Sequence, residues 1–420
     1  MQYFKHSDLA NEYHVSLKTI HNWIVAAKTE KVKLDLHETK SGTYIAKTAQ
    51  NTRLLESLAE KGKKYRNLVH HKIVEPSDEF YRIYDKRQTR DIINNIEVHR
   101  EIPRQYNYVE GGAENWDKWL KHLATEDNSN ILQGTLELFR DNLHAFDRLI
   151  ENKTRVNIVD LGVGNAYPVR EFLGHILKSG KLNRYIGIDI SQAMLDIAGK
   201  NINEWYDGEV AYEGHLRDFT YERFDDLLVD DMLGSKAKDT INIVLLLGGT
   251  SGNFRSFTDV FKTVYGSLGV NDVLIYADKL DTETSRKYFN FSTAVSGSSI
   301  VPGMSKLSPN YKYILDLMNL DESLYSVEAG FDPARYMRYV QIRLSTSITI
   351  QFKTGDASFH EVRLEKGEAL LLLRVWHRTA LQYISDFEKT GFMLLHSSLT
   401  KNREYFLSIS GIESKKAKEI

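Results

Sequence analysis

From Arg155 onward, short apolar runs recur with room for a helix between them: "RVNIVDLG", "RYIGIDI", "INIVLLLGG" and "DVLIYADK". Each ends near Asp or Gly. Runs of this kind, apolar throughout and separated by helical stretches, predict a parallel, doubly wound sheet. After about residue 335 the texture changes. "RYVQIRLSTSITIQF" and "HEVRLEKGEALLLLRVW" alternate apolar with polar positions, which predicts antiparallel strands, followed by a helix over 377–390 and a last strand near "YFLSI". Ahead of the sheet, residues 79 to about 150 are helical in pattern, interrupted by "IPRQYNYVEGGAENWDKW", where aromatics gather beside Gly-Gly.

The first residues follow another plan. "HSDLANEYHVSLKTIHNWI" (6–24) spaces its apolar residues as two short helices: Leu9, Ala10 and Tyr13 on one, Val15, Ile20, Trp23 and Ile24 on the next. Ser16 suits the N-cap of the second helix, which then displays Leu17, Lys18, His21 and Asn22 outward. "VKLDLHETKSGTYIA" alternates around Ser41-Gly42, a hairpin signal. This order resembles the winged helix-turn-helix head of the MerR/excisionase type. The resemblance implies duplex DNA as a partner of residues 1–48, with Lys18, His21 and Asn22 in the major groove; a small helical docking domain is the plainer alternative. The expected organisation is a head (1–48), a helical linker (49–78), a helical substrate-side segment (79–150), and a body (151–420) with a β-rich insertion at about 280–375.

Charge and composition sharpen this picture. Residues 1–75 carry 13 Lys/Arg against 8 Asp/Glu, so +5 of a total of −2, which leaves −7 for the remainder and suits a polyanion partner for the head alone. Zero cysteines exclude disulfides, thiolate nucleophiles and Cys-ligated zinc. No metal site is read. With no apolar run long enough to span a bilayer and no secretory signal, the expected location is the cytoplasm and no membrane contact is expected.

The chemistry gathers at strand ends. In "IVDLGVGNAYPVREFL" a buried strand ends at Asp160, Gly162 and Gly164 permit a tight turn close to a ligand, and Pro168 suits the first turn of the next helix. The dinucleotide fingerprint requires a third glycine where this chain has Tyr167, which disfavours a pyrophosphate. The next strand ends at Asp189, at the spacing where a carboxylate accepts both ribose hydroxyls. "GHLRDFT" supplies Asp218 for an exocyclic amine and Phe219 as an aromatic face for a purine. Ribose and purine without pyrophosphate describe S-adenosylmethionine.

With these motifs in hand, residues 79–410 resemble class I S-adenosylmethionine methyltransferases, and within them the histidine-specific Nα-methyltransferases of ergothioneine biosynthesis. "DLGVGNA", "GIDIS", "RDF", "LLLGGTSGNF" (245–254) and "DFEKTGF" (386–392) carry the resemblance. It implies an α/β Rossmann-like fold with an antiparallel β-rich insertion, alongside the small winged helix-turn-helix domain. Gly162, Gly164, Asp189, Asp218 and Phe219 are then expected at the cofactor, with Asn253 positioning the acceptor amine. Tyr288 in "SRKYFNF", and Tyr106 in "REIPRQYNY", are the expected substrate-pocket tyrosines.

The departures bear on the substrate. Where the family carries a Glu and a Ser two residues apart to bond the imidazole, this chain reads "LLRVWHR". Loss of such partners removes orders of magnitude of discrimination. The expected activity is therefore methyl transfer to an amine-bearing small molecule or peptide other than free histidine, more apolar or aromatic since Val375, Trp376 and His377 replace the readers. Alignment of the nucleophile with the methyl supplies most of the acceleration, and no general base is assigned. The alternative is a non-catalytic regulator that senses S-adenosylmethionine. A DNA-modifying enzyme is disfavoured, since the chain has neither a Pro-Pro-aromatic loop nor a cysteine nucleophile.

Overall fold

The four apolar runs become neighbouring strands of one sheet in the computed structural model. The model describes residues 2–13, 15, 17–40, 42–69, 71–109, 111–125, 130–228, 239–282, 307, 309–332, 334–355, 358–376 and 378–412. The chain divides into two units, Met1–Ile73 with Thr346–Thr349, and Val74–Ser345 with Ile350–Ile420.

In the first unit, the helices His6–Glu12 and Leu17–Lys28 precede a hairpin. Strands β1 (Tyr3–Phe4), β2 (Leu36–Thr39) and β3 (Gly42–Ala46) form an antiparallel sheet in the order β1-β3-β2. Leu9, Val15, Ile20, Trp23, Ile24, Leu34 and Ile45 fill one core, and the helix Ala49–Val69 adds Leu55 and Ala59 to it. Asn51 explains why that helix starts inside the unit. Its fully buried amide donates to the Asp35 and Ala46 carbonyls at 2.9 and 2.8 Å and accepts the Asp35 N–H at 3.0 Å. The stretch from 49, expected as a linker, therefore begins as part of the head's core. Ser16 and Ser41 lie outside the described residues; Gly42 opens β3 rather than sitting in the turn. The chain leaves through β4 (Lys72–Val74).

The second unit is built on β5 (Arg155–Leu161), β6 (Leu182–Asp189), β7 (Tyr212–Leu216), β8 (Thr240–Leu246), β9 (Val273–Lys279), β15 (Phe392–Leu399) and β16 (Tyr405–Ile412), in the order β15-β16-β9-β8-β5-β6-β7. Pairing is parallel from β7 to β9 and antiparallel at β9/β16 and β16/β15. This is a mixed, mainly parallel α/β sheet with an antiparallel edge. Side-chain alternation divides each central strand between two cores. Val156, Ile158, Ile241 and Ile243 face the helices 131–150, 170–178 and 192–206. Val159, Leu161, Val244 and Leu246 face Phe257–Ser267 and Ala380–Lys389.

Polar positions within the strands are paired across them. Asn183 donates to Asn157 at 2.7 Å, Asn157 to Asn242 at 2.8 Å, and Asn242 to Asp272 at 2.9 Å. Between β9 and β15 the chain forms β10 (Tyr325–Asp332), β11 (Met337–Leu344), β12 (Ile348–Lys353), β13 (Phe359–Leu364) and β14 (Ala369–Trp376). β11 pairs with both β10 and β14, and β12 with β13, all within the expected insertion. Among the described residues no helix is long and apolar enough to cross a membrane.

Candidate cofactor and acceptor site

Strand order reverses at β5, between β6 and β8, and in such sheets ligands bind beyond the carboxyl ends of the strands at that point. A cavity of about 370 Å³ lies there, in the second unit, and Gly162, Gly164, Asp189, Asp218 and Phe219 all line it. Gly162 has φ +72°, and a Cβ on it would sit 2.9 Å from Thr250 Cγ2, so the loops after β5 and β8 can meet only over a glycine. Two further features fix the glycine loop and left no sequence signal. Ala166 takes a left-handed φ of +61°. Buried Asn165 donates to Asp117 at 2.9 Å, accepts the Tyr167 N–H at 3.1 Å, and offers its carbonyl to Asn201 at 2.9 Å.

Asp189, at the end of β6, divides its oxygens between the turn that follows it and the glycine loop. Oδ1 accepts the Ser191 N–H at 3.0 Å and Oδ2 the Gly164 N–H at 3.3 Å. Burial pushes its carboxyl up to about 6, against the pull of those backbone donors. Asp160 lies deeper, accepts the Tyr185 hydroxyl at 2.8 Å, and is pushed by burial up to about 7. Beyond β7, Asp218 Oδ1 accepts the Thr220 N–H at 3.0 Å, while Oδ2 is buried without a hydrogen-bond partner among the described residues. Burial raises its pKa. A buried acceptor lacking a donor suits an exocyclic amine. Phe219 beside it meets Phe254 edge-on at 6.0 Å and 75°. A nucleoside with a donor at its base edge and hydroxyls on its sugar fits this set.

The loop after β8 forms the opposite wall. Gly248, Gly249 and Thr250 line the cavity, and the 3₁₀ turn Thr250–Asn253 follows. Asn253 ends this turn, which is as far as its placement is described. The turn rests on a buried carboxylate: Asp278, at the end of β9, accepts from Ser251 Oγ, from Tyr276 at 2.9 Å and from Tyr383 at 3.4 Å. Burial raises the Asp278 pKa.

The third wall comes from the helical segment. Asp91, Asn95, Glu101, Gln105 and Trp116 line the cavity. Residues 100–102 are stitched to β14, since Leu371 N–H donates to the Arg100 carbonyl at 2.9 Å and Ile102 N–H to the Leu371 carbonyl at 2.8 Å. Glu101 thereby meets Arg374, and it also accepts from Arg255 at 2.9 Å. Sequence reasoning missed this cluster, whose members lie 154 and 273 residues from Glu101.

Other expected site residues fall elsewhere. Tyr106 is buried and does not line the cavity; its hydroxyl donates to Asp91 Oδ2 at 2.9 Å, which makes it a support of the wall. Tyr288 and His377 lie outside the described residues. Trp376 does not face the cavity either. Its indole donates to the Phe254 carbonyl at 2.8 Å and its ring packs edge-on near Phe257. The expectation that it presents an apolar surface to the acceptor is corrected by that packing. In the head, Lys18, His21 and Asn22 are exposed on one face of the helix Leu17–Lys28, opposite buried Ile20, Trp23 and Ile24.

The family model described as histidine-specific, S-adenosylmethionine-dependent methyltransferase matches residues 88–409, more than half of the chain. The chain belongs to that family. It is an enzyme that uses S-adenosylmethionine. The methyltransferase resembles several solved structures at low identity. One is an S-adenosylmethionine-dependent methyltransferase from Clostridium acetobutylicum ATCC 824, at 11% identity and TM-score 0.37, covering 72% of this chain and 98% of that one. Another is magnesium protoporphyrin IX methyltransferase from Synechocystis PCC 6803 with bound S-adenosylhomocysteine, at 10% identity and TM-score 0.39, covering 74% and 97%. No curated protein matches the chain.

Proposed function

We propose that this methyltransferase transfers a methyl group to the amine of a small molecule or peptide other than free histidine. Gly162 and Gly164 carry the cofactor's backbone-side contacts in this reading, Asp189 its ribose hydroxyls, and Asp218 and Phe219 its adenine; the bound cofactor supplies a methyl activated on a sulfonium. Asn253 positions the acceptor amine. The observation that carries the reading is what the polar groups of "LLRVWHR" that are described do: Arg374 is committed to Glu101 and Trp376 to the Phe254 carbonyl. Neither can hydrogen-bond an imidazole as a Glu and a Ser would, and buried polar contacts of that kind decide selectivity. The test is release of S-adenosylhomocysteine with histidine and with a panel of other amines. Efficient methylation of free histidine overturns the reading. Tight cofactor binding without turnover on any amine transfers the weight to a sensor.

Residues 1–48 form, in the same proposal, a winged helix-turn-helix head that binds duplex DNA; the helix Ala49–Val69 completes its core and leads on to the substrate-side segment (79–150) and catalytic body (151–420). Exposure of Lys18, His21 and Asn22 together, above a packed core, supports it.

A further inference from the structure

The Glu101 cluster is unbalanced. Two guanidiniums converge on one carboxylate whose side chain is only 10% exposed, and the Arg374 side chain is 11% exposed. Two guanidiniums sharing one buried carboxylate leave a surplus positive charge beside a poorly solvated group, which favours a second anion. Burial, with the like charges of Arg255 and Arg335, presses the Arg374 guanidinium below its ordinary range.

Arg255 is the member that can meet a ligand. It lines the cavity and its side chain is 41% exposed. Among the described residues only Nη2 is engaged, by Glu101 at 2.9 Å and by Asn95 Oδ1. Among the described residues it makes no other ion pair, although Asp259 lies on the same wall. Among the described residues the Nη1 and Nε donors carry no hydrogen bond, so each is left to meet a ligand oxygen as a single charge-assisted donor. Arg255 also follows the Thr250–Asn253 turn by two residues, so an acceptor whose amine lies at that turn has its far end within reach of the cluster.

We propose that Arg255, backed by Glu101 and Arg374, is a subsite for an anionic group on the acceptor: the substrate is an amine whose other end carries a carboxylate. This rests on the methyltransferase reading of the cavity and adds the acceptor's charge to it.

The test uses three amines that differ only at the far end: 4-aminobutyrate (anionic), 4-aminobutyramide (neutral) and 1,4-diaminobutane (cationic). The full-length enzyme is first titrated with S-adenosylhomocysteine by calorimetry; absence of that binding overturns the cofactor-site reading itself. With the product bound, each amine is then titrated in turn, so the result does not depend on turnover. The proposal expects 4-aminobutyrate to bind about tenfold or more tightly than the amide, and the diamine most weakly. Arg255→Met should abolish that preference while leaving S-adenosylhomocysteine affinity unchanged, which also reports that the variant is folded. Arg255→Lys should restore part of it, and Glu101→Gln should strengthen it by releasing both guanidiniums. Equal binding of acid and amide with the product bound, or a preference that survives Arg255→Met, overturns the proposal.

Discussion

The amide of Gly164 donates to Oδ2 of Asp189 at 3.3 Å, which ties the glycine loop to the carboxylate proposed to hold the ribose. The contact couples cofactor affinity to protonation. Burial holds Asp189 up at about 6, and ribose hydroxyls need the charged form. Affinity for S-adenosylhomocysteine should be flat above about pH 7 and fall about tenfold per unit well below pH 6. Calorimetry across that range checks it. Asp189→Asn should bind weakly and without the pH dependence; a wild-type affinity that is constant from about pH 5 to 8 contradicts the assignment.

The sign for stability is opposite. A carboxyl raised above its unfolded value binds its proton more tightly when folded, so its contribution is fully present at low pH. That contribution is lost as pH rises through about 6 for Asp189 and about 7 for Asp160. The cofactor-free protein should therefore lose melting temperature across that window, and saturating S-adenosylhomocysteine should offset the Asp189 share. Asp160 does not line the cavity, so its share should persist in Asp189→Asn.

Gly162→Ala places a methyl 2.9 Å from Thr250 Cγ2 at a φ of +72°. The left-handed backbone alone costs about 1–2 kcal/mol, and the contact forces the loops after β5 and β8 apart. The variant should melt lower and bind cofactor weakly. Adding Thr250→Ser removes Cγ2 but keeps the hydroxyl that donates to the Leu247 carbonyl. The double variant should regain part of both losses; no recovery would place the damage in the backbone alone.

Asp278→Asn and Ser251→Ala should act on the acceptor side. Both loosen the turn that ends in Asn253 without touching the Asp189 or Asp218 contacts. Misplacement of a positioning group by about 1 Å costs on the order of 100-fold in rate. The expected result is a fall in kcat with S-adenosylhomocysteine affinity nearly unchanged, and Asn253→Ala should share that signature. A loss of cofactor affinity equal to the loss of rate would make the turn part of the cofactor site.

These residues divide by what a linear pattern can carry. β5, β8 and β9 were legible because strands buried on both faces must be apolar throughout, and Asp189 because it ends a strand that the pattern locates; Asp218 was read from "GHLRDFT" and lies two residues beyond β7. The Glu101–Arg374 contact was not legible, because it depends on residues 100–102 lying along β14, a register that no local spacing encodes. Trp376 read as a candidate pocket surface for the same reason, since only the fold shows its indole bonded to Phe254. The helix Ala49–Val69 looked like a connector because its charge is high. Its place in the head's core rests on Leu55, Ala59 and one buried amide, Asn51.

The head makes a separate prediction. Leu17–Lys28 is a 12-residue helix, about 18 Å long at 1.5 Å per residue, which fits a major groove about 12 Å wide. Its buried face is used up by the core, so Lys18, His21 and Asn22 can be changed without disturbing the packing of Ile20, Trp23 and Ile24. Full-length protein should bind duplexes selected from a random-sequence pool, with log affinity falling linearly in log salt. Lys18→Ala should reduce that slope by about one if Lys18 meets a phosphate. If His21 and Asn22 meet base edges, their replacement by Ala should cost about 1–3 kcal/mol on the selected sequence and little on others. None of the three should change S-adenosylhomocysteine binding, because that site belongs to the other unit. If the full chain enriches no duplex at low salt, residues 1–73 are a docking module, and the same exposed face becomes the surface on which to map a protein partner.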